Sequence, residues 1–347
     1  MKFYDKDFNP TTGYTKWLDY IDRNSYYKSA FEHTNILLIH LFDYRAMYEN
    51  QTLDAYISQA QDLNIDYIML EDPSNYPNVP EYAKTSPIKT LLLHNDFELY
   101  RNDDAHRLYW PVWLFFTQDK HDTVPAVRAD YILSSANRNF NYGRPGKIYN
   151  YQKLKNKPYF NQILFTKFRT EESLCCPWPY TEHDREFGAI LDAFIPDFNS
   201  WNLLDNDLLE GMRALNLDVY NKSLFHLVAE SGVQENLLSE KTYKIFHVGQ
   251  IPVMCGARNA VAHLRDLGFD MFDDLVNHAA YDNIEDFKRR IDAMHGVLDS
   301  VVSLNHQQLL EETAQRRDKN YQWFHSQDLT NLVVKVLLDR LLKEQAA

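Results

Sequence analysis

The sequence predicts an α/β protein made of two Rossmann-like domains facing a cleft. Three observations predict it. Short apolar, β-rich runs alternate with stretches of helical spacing. The alternation stops and starts again after about residue 130. The chain, at 347 residues, is too long for one ordinary core. Near-continuous apolar strands joined through helices imply parallel sheets covered on both faces.

In the first half, a polar and aromatic leader precedes ILLIHLF (36–42), which reads as a buried strand. TLDAYISQAQDLN (52–64) puts Leu53, Tyr56, Ile57 and Ala60 on one helical face. IDYIMLED (65–72) is a second strand ending in two carboxylates, IKTLLLHND (88–96) a third and YWPVWLFFTQ (109–118) a candidate fourth. DKHDTVPAVRAD (119–130) marks the boundary, because strand patterns resume after it in YILSSANRN (131–139) and FNQILFTKF (160–168). SLFHLVAES (223–231) is a further strand. A helix from Ser239 closed by Gly249, the strand IPVMC (251–255) and a helix in ARNAVAHLRDLG (257–268) ending at Gly268 follow. Residues 284–318 and 328–344 read as helical, with Asp328 a candidate N-cap. The expected division is 1–130, 131–325 and a C-terminal helix over 326–347 that returns to the first domain.

Composition narrows the function classes. Apolar residues at 45% and aromatics at 14% support a real core and weigh against disorder. No segment matches GxxxxGK[ST] or GxGxxG, which disfavours a P-loop enzyme and a dehydrogenase. A formal net charge of -13 weighs against a protein that coats nucleic acid. The three cysteines, Cys175, Cys176 and Cys255, have no zinc-site spacing, and two are adjacent. A reducing, cytoplasmic location is expected, the host cytoplasm if the chain is viral. MKFYDKDFNP lacks the apolar stretch of a signal peptide, and ILLIHLF and VWLFF are too short to span a membrane.

The stretch SEKTYKIFHVGQIPVMCGARN (239–259) carries the sharpest signal. By spacing alone it reads as a capped surface helix in which Glu240 and Lys244 form an i,i+4 ion pair and Lys241 points about 100° away. A second reading uses the helix mouth. Free N–H groups and the positive end of the dipole attract an anion, a Lys there adds charge, and a neighbouring carboxylate accepts hydrogen bonds from ribose hydroxyls. Together these suit a nucleoside diphosphate.

The stretch from Ser223 to Asp282 resembles the donor-binding half of GT-B glycosyltransferases of the exostosin and α1,3-fucosyltransferase-like kind. In that family a strand ending near an acidic residue leads to an [ST]EK motif, a helix and a (Q/T)xP segment closed by Gly. The matching pieces are AES (229–231), SEK (239–241) and QIPVMCG (250–256). LRDLGFDMF (264–272), Tyr281-Asp282 and the Asn320 region KNYQWF also fit the pattern of small viral and bacterial members. Upstream, SSANRNFNYGRPGKIYNYQKL (134–154) is similar to their LNRxxRxHR segment: the first Arg matches Arg138, while the later Arg and His are out of register and Arg144 or Lys147 are the candidates to stand in. The resemblance covers about 131–325.

The resemblance implies an enzyme that moves a sugar from a nucleotide-sugar donor to a hydroxyl acceptor. The domain over 131–325 would bind the donor and that over 1–130 the acceptor. Ser239 and Glu230 would frame the site, Glu240 would hold the ribose, Lys241 and Arg138 would meet the diphosphate, and Lys244 would add charge. No metal or other cofactor is implied, since side chains and helix dipoles neutralise the leaving diphosphate in GT-B enzymes. Some resembling proteins occur in tailed phages and glycosylate hydroxymethylated pyrimidines, so phage DNA is one candidate acceptor. A glycan or small molecule is the other, and a non-catalytic nucleotide-binding protein is the remaining alternative.

Further candidates come from the residues themselves. No Asp or Glu interrupts the basic residues from Arg138 to Arg169, and Tyr142, Tyr149, Tyr151 and Tyr159 are interleaved among them. That pattern reads either as a solvated face or as a cleft edge for a polyanion such as DNA. His40, Glu71, Asp72, His94 and Asp96 fall at the ends of predicted strands. Each reads singly as a turn or capping group. Glu71 and Asp72 lead as the catalytic pair, because an acceptor hydroxyl needs a base within reach in an inverting displacement. In a retaining enzyme they would only position the acceptor. Asp205-Asn206-Asp207 imitates a DxD metal motif but reads as a helix start. Cys175 and Cys176, followed by Pro-Trp-Pro (177–179), read as a loop.

Overall fold

A computed structural model of the protein describes residues 1–11, 15–71, 81–94, 96–102, 104, 107–118, 126–137, 145–165, 220–230 and 236–346. It divides into two compact units, Met1–Val112 with Gln327–Ala347, and Trp113–Ser326. Each is a parallel sheet dressed with helices, so the chain is α/β and Rossmann-like in both units. No described helix is long and apolar enough to cross a membrane.

The first unit holds five parallel strands in sequence order: β1 (Lys2–Tyr4), β2 (Asn35–His40), β3 (Tyr67–Glu71), β4 (Lys89–His94) and β5 (Arg107–Tyr109). Register places Leu37 beside Ile68, Ile39 beside Leu70, and Leu70 beside Leu92. These side chains share one face and pack with Tyr44, Leu53, Ile57 and Ala60 from the helices Leu41–Glu49 and Leu53–Asp62. Leu38, Met69 and Leu91 stand side by side on the opposite face and are also buried. Burial on both faces is why these strands are apolar throughout rather than alternating.

Two strand boundaries differ from expectation. Leu41 and Phe42 begin a helix instead of extending β2. YWPVWLFFTQ is not one strand: β5 ends at Tyr109 and a helix runs Val112–Gln118. Pro111 lies at the break, where its missing N–H would cost a ladder bond but suits a helix start. The leader also contains structure that its polarity concealed. Lys2–Tyr4 adds β1 to the edge of the sheet, and the helices Thr15–Arg23 and Ser25–Ala30 follow.

The last helix, Gln327–Ala346, belongs to the first unit. Its apolar positions Leu329, Val333, Leu337 and Leu341 are buried. Asp339 accepts from the Tyr27 hydroxyl, Arg340 donates to the Asp104 carbonyl at 2.7 Å and Glu344 pairs with Lys89 at 2.7 Å. Asp328 sits in its first turn rather than at the N-cap, and its charge there still suits the dipole.

The second unit has strand order β7-β6-β8-β9, with β6 at Leu133–Ser135, β7 at Ile163–Phe165, β8 at Phe225–Ala229 and β9 at Ile251–Cys255. From β6 the chain steps to β7 on one side, then returns to lay β8 on the other. The order therefore reverses between β6 and β8, which is the topological switch point. Those two strands share one ladder pair, Ser134 with His226, and a buried side-chain network reinforces it. His226 Nε2 accepts from the Ala136 N–H at 3.3 Å, so Nδ1 carries the proton and donates to Ser134 Oγ at 2.8 Å. Burial pushes His226 down to about 3, which keeps it neutral in this role. Gln250 donates to the Ser223 carbonyl at 2.8 Å.

Helices Pro145–Lys155, Glu240–Val248, Ala260–Asp266, Phe287–Val301, His306–Glu312 and Ala314–Phe324 accompany these strands. Several residues that the sequence marked as pattern elements are braces within this unit. The Asp282 carboxylate accepts from the Val261 and Ala262 N–H groups, both at 3.0 Å, and so caps the helix Ala260–Asp266. The Tyr281 hydroxyl accepts from the Met254 N–H at 3.1 Å. Asn320 clasps Asp270 through both its N–H (2.9 Å) and its carbonyl (2.7 Å).

Gly268 takes φ +91, and a Cβ there would lie 3.0 Å from Trp323 Nε1, which donates to the Leu267 carbonyl at 2.7 Å. Both the left-handed backbone and the ring oppose a side chain. We expect Gly268→Ala to lower unfolding free energy by about 1–3 kcal/mol. A denaturant midpoint equal to that of the wild type would show that this turn tolerates a side chain.

Candidate functional site

Glu230 follows β8 directly, and its N–H still pairs with the Cys255 carbonyl at 2.9 Å. That fixes its buried carboxylate at the carboxyl edge of the second sheet, beside the switch point. Oε1 accepts from the Ser239 N–H at 2.9 Å and from Thr242 Oγ1 at 2.5 Å, while Oε2 accepts from Ser239 Oγ at 2.5 Å. Ser239 is the N-cap, in extended conformation, and its hydroxyl accepts from the Lys241 N–H at 3.3 Å. A capping box would have Glu or Gln at the third helical position. Here Thr242 occupies it, and the carboxylate comes from the neighbouring strand. The mouth of the helix Glu240–Val248 is thereby pinned to the end of β8. At the other end Gly249 closes the helix with φ 78, in the left-handed conformation that glycine takes without strain.

This helix is not a surface helix, since nearly all its residues are buried. Nor is its nearest ion pair the i,i+4 one. Lys241 Nζ donates to Glu240 Oε1 at 2.9 Å and to Ser239 Oγ at 3.2 Å, with the side chains 13% and 8% exposed. Lys244 is buried, with its ammonium 6.0 Å from the centre of the buried Tyr220 ring. Burial by itself would raise the Glu240 pKa, but the charges of Lys241 and Lys244 and a hydrogen bond from Lys241 outweigh it and bring the carboxyl to about 2. Tyr220 is held above its ordinary value first by burial and then by the charges of Glu240 and Glu230. Two carboxylates, two ammonium groups and one phenol therefore share a small buried space, and the formal charges of Glu230, Glu240, Lys241 and Lys244 cancel.

Of the other predicted donor residues, Lys147 is buried on the helix Pro145–Lys155. Its charge reaches Cys255, whose thiol burial pushes up to about 12 against the pull of Arg290 and Lys147. Such a thiol is unreactive. Arg138, Arg144 and Asp72 lie outside the described residues, as do Asp205, Asp207, Cys175 and Cys176. Glu71 is the last residue of β3, registered between His40 and Leu93. His94 and Asp96 have local duties. The Asp96 N–H donates to His94 Nδ1 at 3.0 Å, and Asp96 caps the short helix Phe97–Tyr100. Among the described residues, no group of three or more His, Cys, Asp or Glu could hold a metal ion.

Among the described residues of the basic and aromatic run, Lys153, Lys157, Tyr149 and Tyr159 are spent on the protein itself. Lys153 pairs with Asp292 at 2.5 Å and Lys157 with Asp299 at 2.6 Å, joining Pro145–Lys155 and its flank to the helix Phe287–Val301. Tyr149 and Tyr151 are buried, and the Tyr159 hydroxyl donates to Asp299 at 2.6 Å. The acids that balance this run lie well over a hundred residues later, so local charge counting could not find them.

Three residues of the site went unmarked in the sequence. Thr242 was readable as a second hydroxyl one turn after the Ser239 cap. Arg290 occupies a core position on the stripe of Met294, Val297 and Val301, where a cation is out of place unless it is satisfied. It is satisfied, because its Nε donates to the Gly256 carbonyl at 3.1 Å and a second nitrogen donates to the Ile284 carbonyl, closing the turn after β9. Tyr220 had no distinguishing spacing.

The depressed Glu240 pKa sets a pH test. A carboxyl lowered from 4.5 to about 2 contributes stability above pH about 4.5 and loses it as pH falls toward 2. The stability advantage of wild type over Glu240→Gln should therefore be full at neutral pH and shrink across that window, by at most about 1.4 kcal/mol per pH unit. A difference that stays flat from pH 5 to about 2 would show that the lysines do not hold this carboxylate ionised.

No family model matches the chain, and no curated protein does. Among solved structures the chain is similar to one described as "OtsA apo structure", at 13% identity and a TM-score of 0.41, covering 93% of this chain and 77% of that one. At that level the likeness carries no argument about what this chain does.

Proposed function

We propose that the protein is a glycosyltransferase of GT-B type that takes a nucleotide-sugar donor at the mouth of the helix Glu240–Val248. The observation that carries the reading is the Ser239-Glu240-Lys241 cluster held by Glu230 at the carboxyl edge of the second sheet, where β6 and β8 part. Open α/β sheets bind ligands at that place. The cluster offers a carboxylate for ribose hydroxyls and an ammonium for phosphate oxygens, on a helix start whose dipole favours an anion.

Negative charge on the leaving diphosphate grows as the glycosidic bond breaks. Cations already fixed nearby stabilise that charge without reorganising, and so lower the barrier. Lys241 is the first such cation, with Lys244 behind it and Arg138, Arg144 and Lys147 as further candidates. In this reading the second unit binds the donor and the first unit the acceptor. Glu71 and Asp72 are then the proposed base for an inverting displacement, or acceptor-positioning groups in a retaining one. The acceptor we favour is a hydroxyl of a glycan or small molecule rather than of DNA. Lys153 and Lys157 are committed to Asp292 and Asp299, and Tyr149 and Tyr151 are too buried to stack on bases.

Glu240→Ala and Lys241→Ala should each lower donor affinity or turnover by about tenfold or more. One charged hydrogen bond to a ligand contributes about 1.5–3 kcal/mol, and 1.4 kcal/mol is about tenfold. The check is a screen of nucleotide sugars for hydrolysis and thermal stabilisation, repeated on both variants with the best donor. Wild-type kinetics in both would reduce the motif to a helix cap.

A further inference from the structure

The cluster at the helix mouth is closed on itself. Lys241, the cation offered to an incoming anion, is already bonded to Glu240 at 2.9 Å and to Ser239 at 3.2 Å. Glu230, which shares the Ser239 hydroxyl with Lys241, is held in place by three hydrogen bonds from Ser239 and Thr242. We propose that the Glu240–Lys241 pair is a selectivity device, which excludes bare inorganic phosphates and admits only ligands that bring hydroxyl donors together with an anion. The inference rests on the nucleotide-binding reading of the same cluster.

The physical reason is the cost of separating the pair. An anion that draws Lys241 to itself leaves Glu240 ionised, buried and without its nearest partner. Inorganic phosphate or diphosphate at neutral pH offers that carboxylate nothing but repulsion. A nucleoside diphosphate carries a ribose whose two hydroxyls can donate to Glu240 in place of the ammonium, while its phosphates take the ammonium over. The exchange then leaves no buried charge unpaired, and ligand binding becomes a swap of partners rather than a loss. Free phosphates are abundant competitors wherever nucleotides are used, and a permanently open cation would collect them. Glu240 accordingly does two things in this account: it receives the ribose, and it guards Lys241 until a ribose is present.

The test is calorimetric titration of inorganic diphosphate, UDP, GDP and ADP into wild type and Glu240→Gln. A neutral amide cannot hold the lysine so firmly and is not stranded as a charge. The expected result is that Glu240→Gln binds inorganic diphosphate about tenfold or more tightly than wild type does, while its preference for the best nucleoside diphosphate over diphosphate collapses. A folded Glu240→Gln protein with unchanged diphosphate affinity would overturn the proposal. If that variant does not fold, wild type decides through the best nucleotide and its 2′,3′-dideoxy counterpart. At least tenfold weaker binding of the dideoxy form supports the device, and equal binding overturns it. Should wild type bind none of the nucleotides, the glycosyltransferase reading fails, while a gain of diphosphate binding in Glu240→Gln would still show that Glu240 masks Lys241.

Discussion

A carboxylate buried at the end of a β-strand is expensive unless its oxygens are filled, and Glu230 is filled from a single turn of chain. Ser239 supplies its N–H and its hydroxyl, and Thr242 supplies a second hydroxyl. Much of the chemistry proposed for the second unit depends on this contact. It ties the end of β8 to the start of the next helix and fixes where that helix mouth points. It also brings Glu240 and Lys241 to the edge at which the sheet reverses its order. Without it the helix would retain its propensity and its glycine stop, but its first turn would have no fixed place against the sheet. The cap is therefore a tertiary contact as well as a local one, which sets it apart from a cap that only completes hydrogen bonds.

Charge balance is the second constraint. Glu240, buried at the helix mouth, is held ionised by the Lys241 ammonium bonded to it and by the charge of Lys244. In the proposed reading a charged ligand must re-pair what it disturbs. A ligand with both an anion and hydroxyl donors can do so. The same logic accounts for the neighbours that do no chemistry. Arg290 spends its donors on backbone carbonyls, His226 is kept neutral by burial, and Cys255 is kept protonated. These groups hold the strand ends in place.

Much of this was legible in the sequence, and the failures have physical causes. The core strands β2, β3, β4, β8 and β9 were readable because strands buried on both faces are apolar without interruption, and IPVMC coincides with β9 residue for residue. Ser239 and Gly249 were readable as cap and stop, since their chemistry is local. The edge strand Lys2–Tyr4 was not, because a three-residue strand with one buried side chain has no periodicity to detect. The proline in YWPVWLFFTQ carried the correct signal, but the apolar run around it suggested a strand. At the site, spacing predicted Glu240 with Lys244, whose charge does act on it, but the bonded partner is Lys241. Helical spacing describes an isolated helix in water, and this one is buried against a sheet that supplies a carboxylate from nine residues upstream. The basic run shows the same limit, because its balancing acids arrive only when Phe287–Val301 packs beside it.

The central claim is that a nucleotide sits on the first turn of the helix Glu240–Val248. Hydrogen–deuterium exchange of the wild-type protein, with and without millimolar UDP, GDP or ADP, addresses it at the level of the peptide. The account predicts that one of these nucleotides slows exchange in the peptides spanning Leu238 to Lys244 and around Glu230, with the sheet of the first unit unaffected. Unchanged exchange in those peptides with all three, or protection confined to another part of the chain, would contradict it.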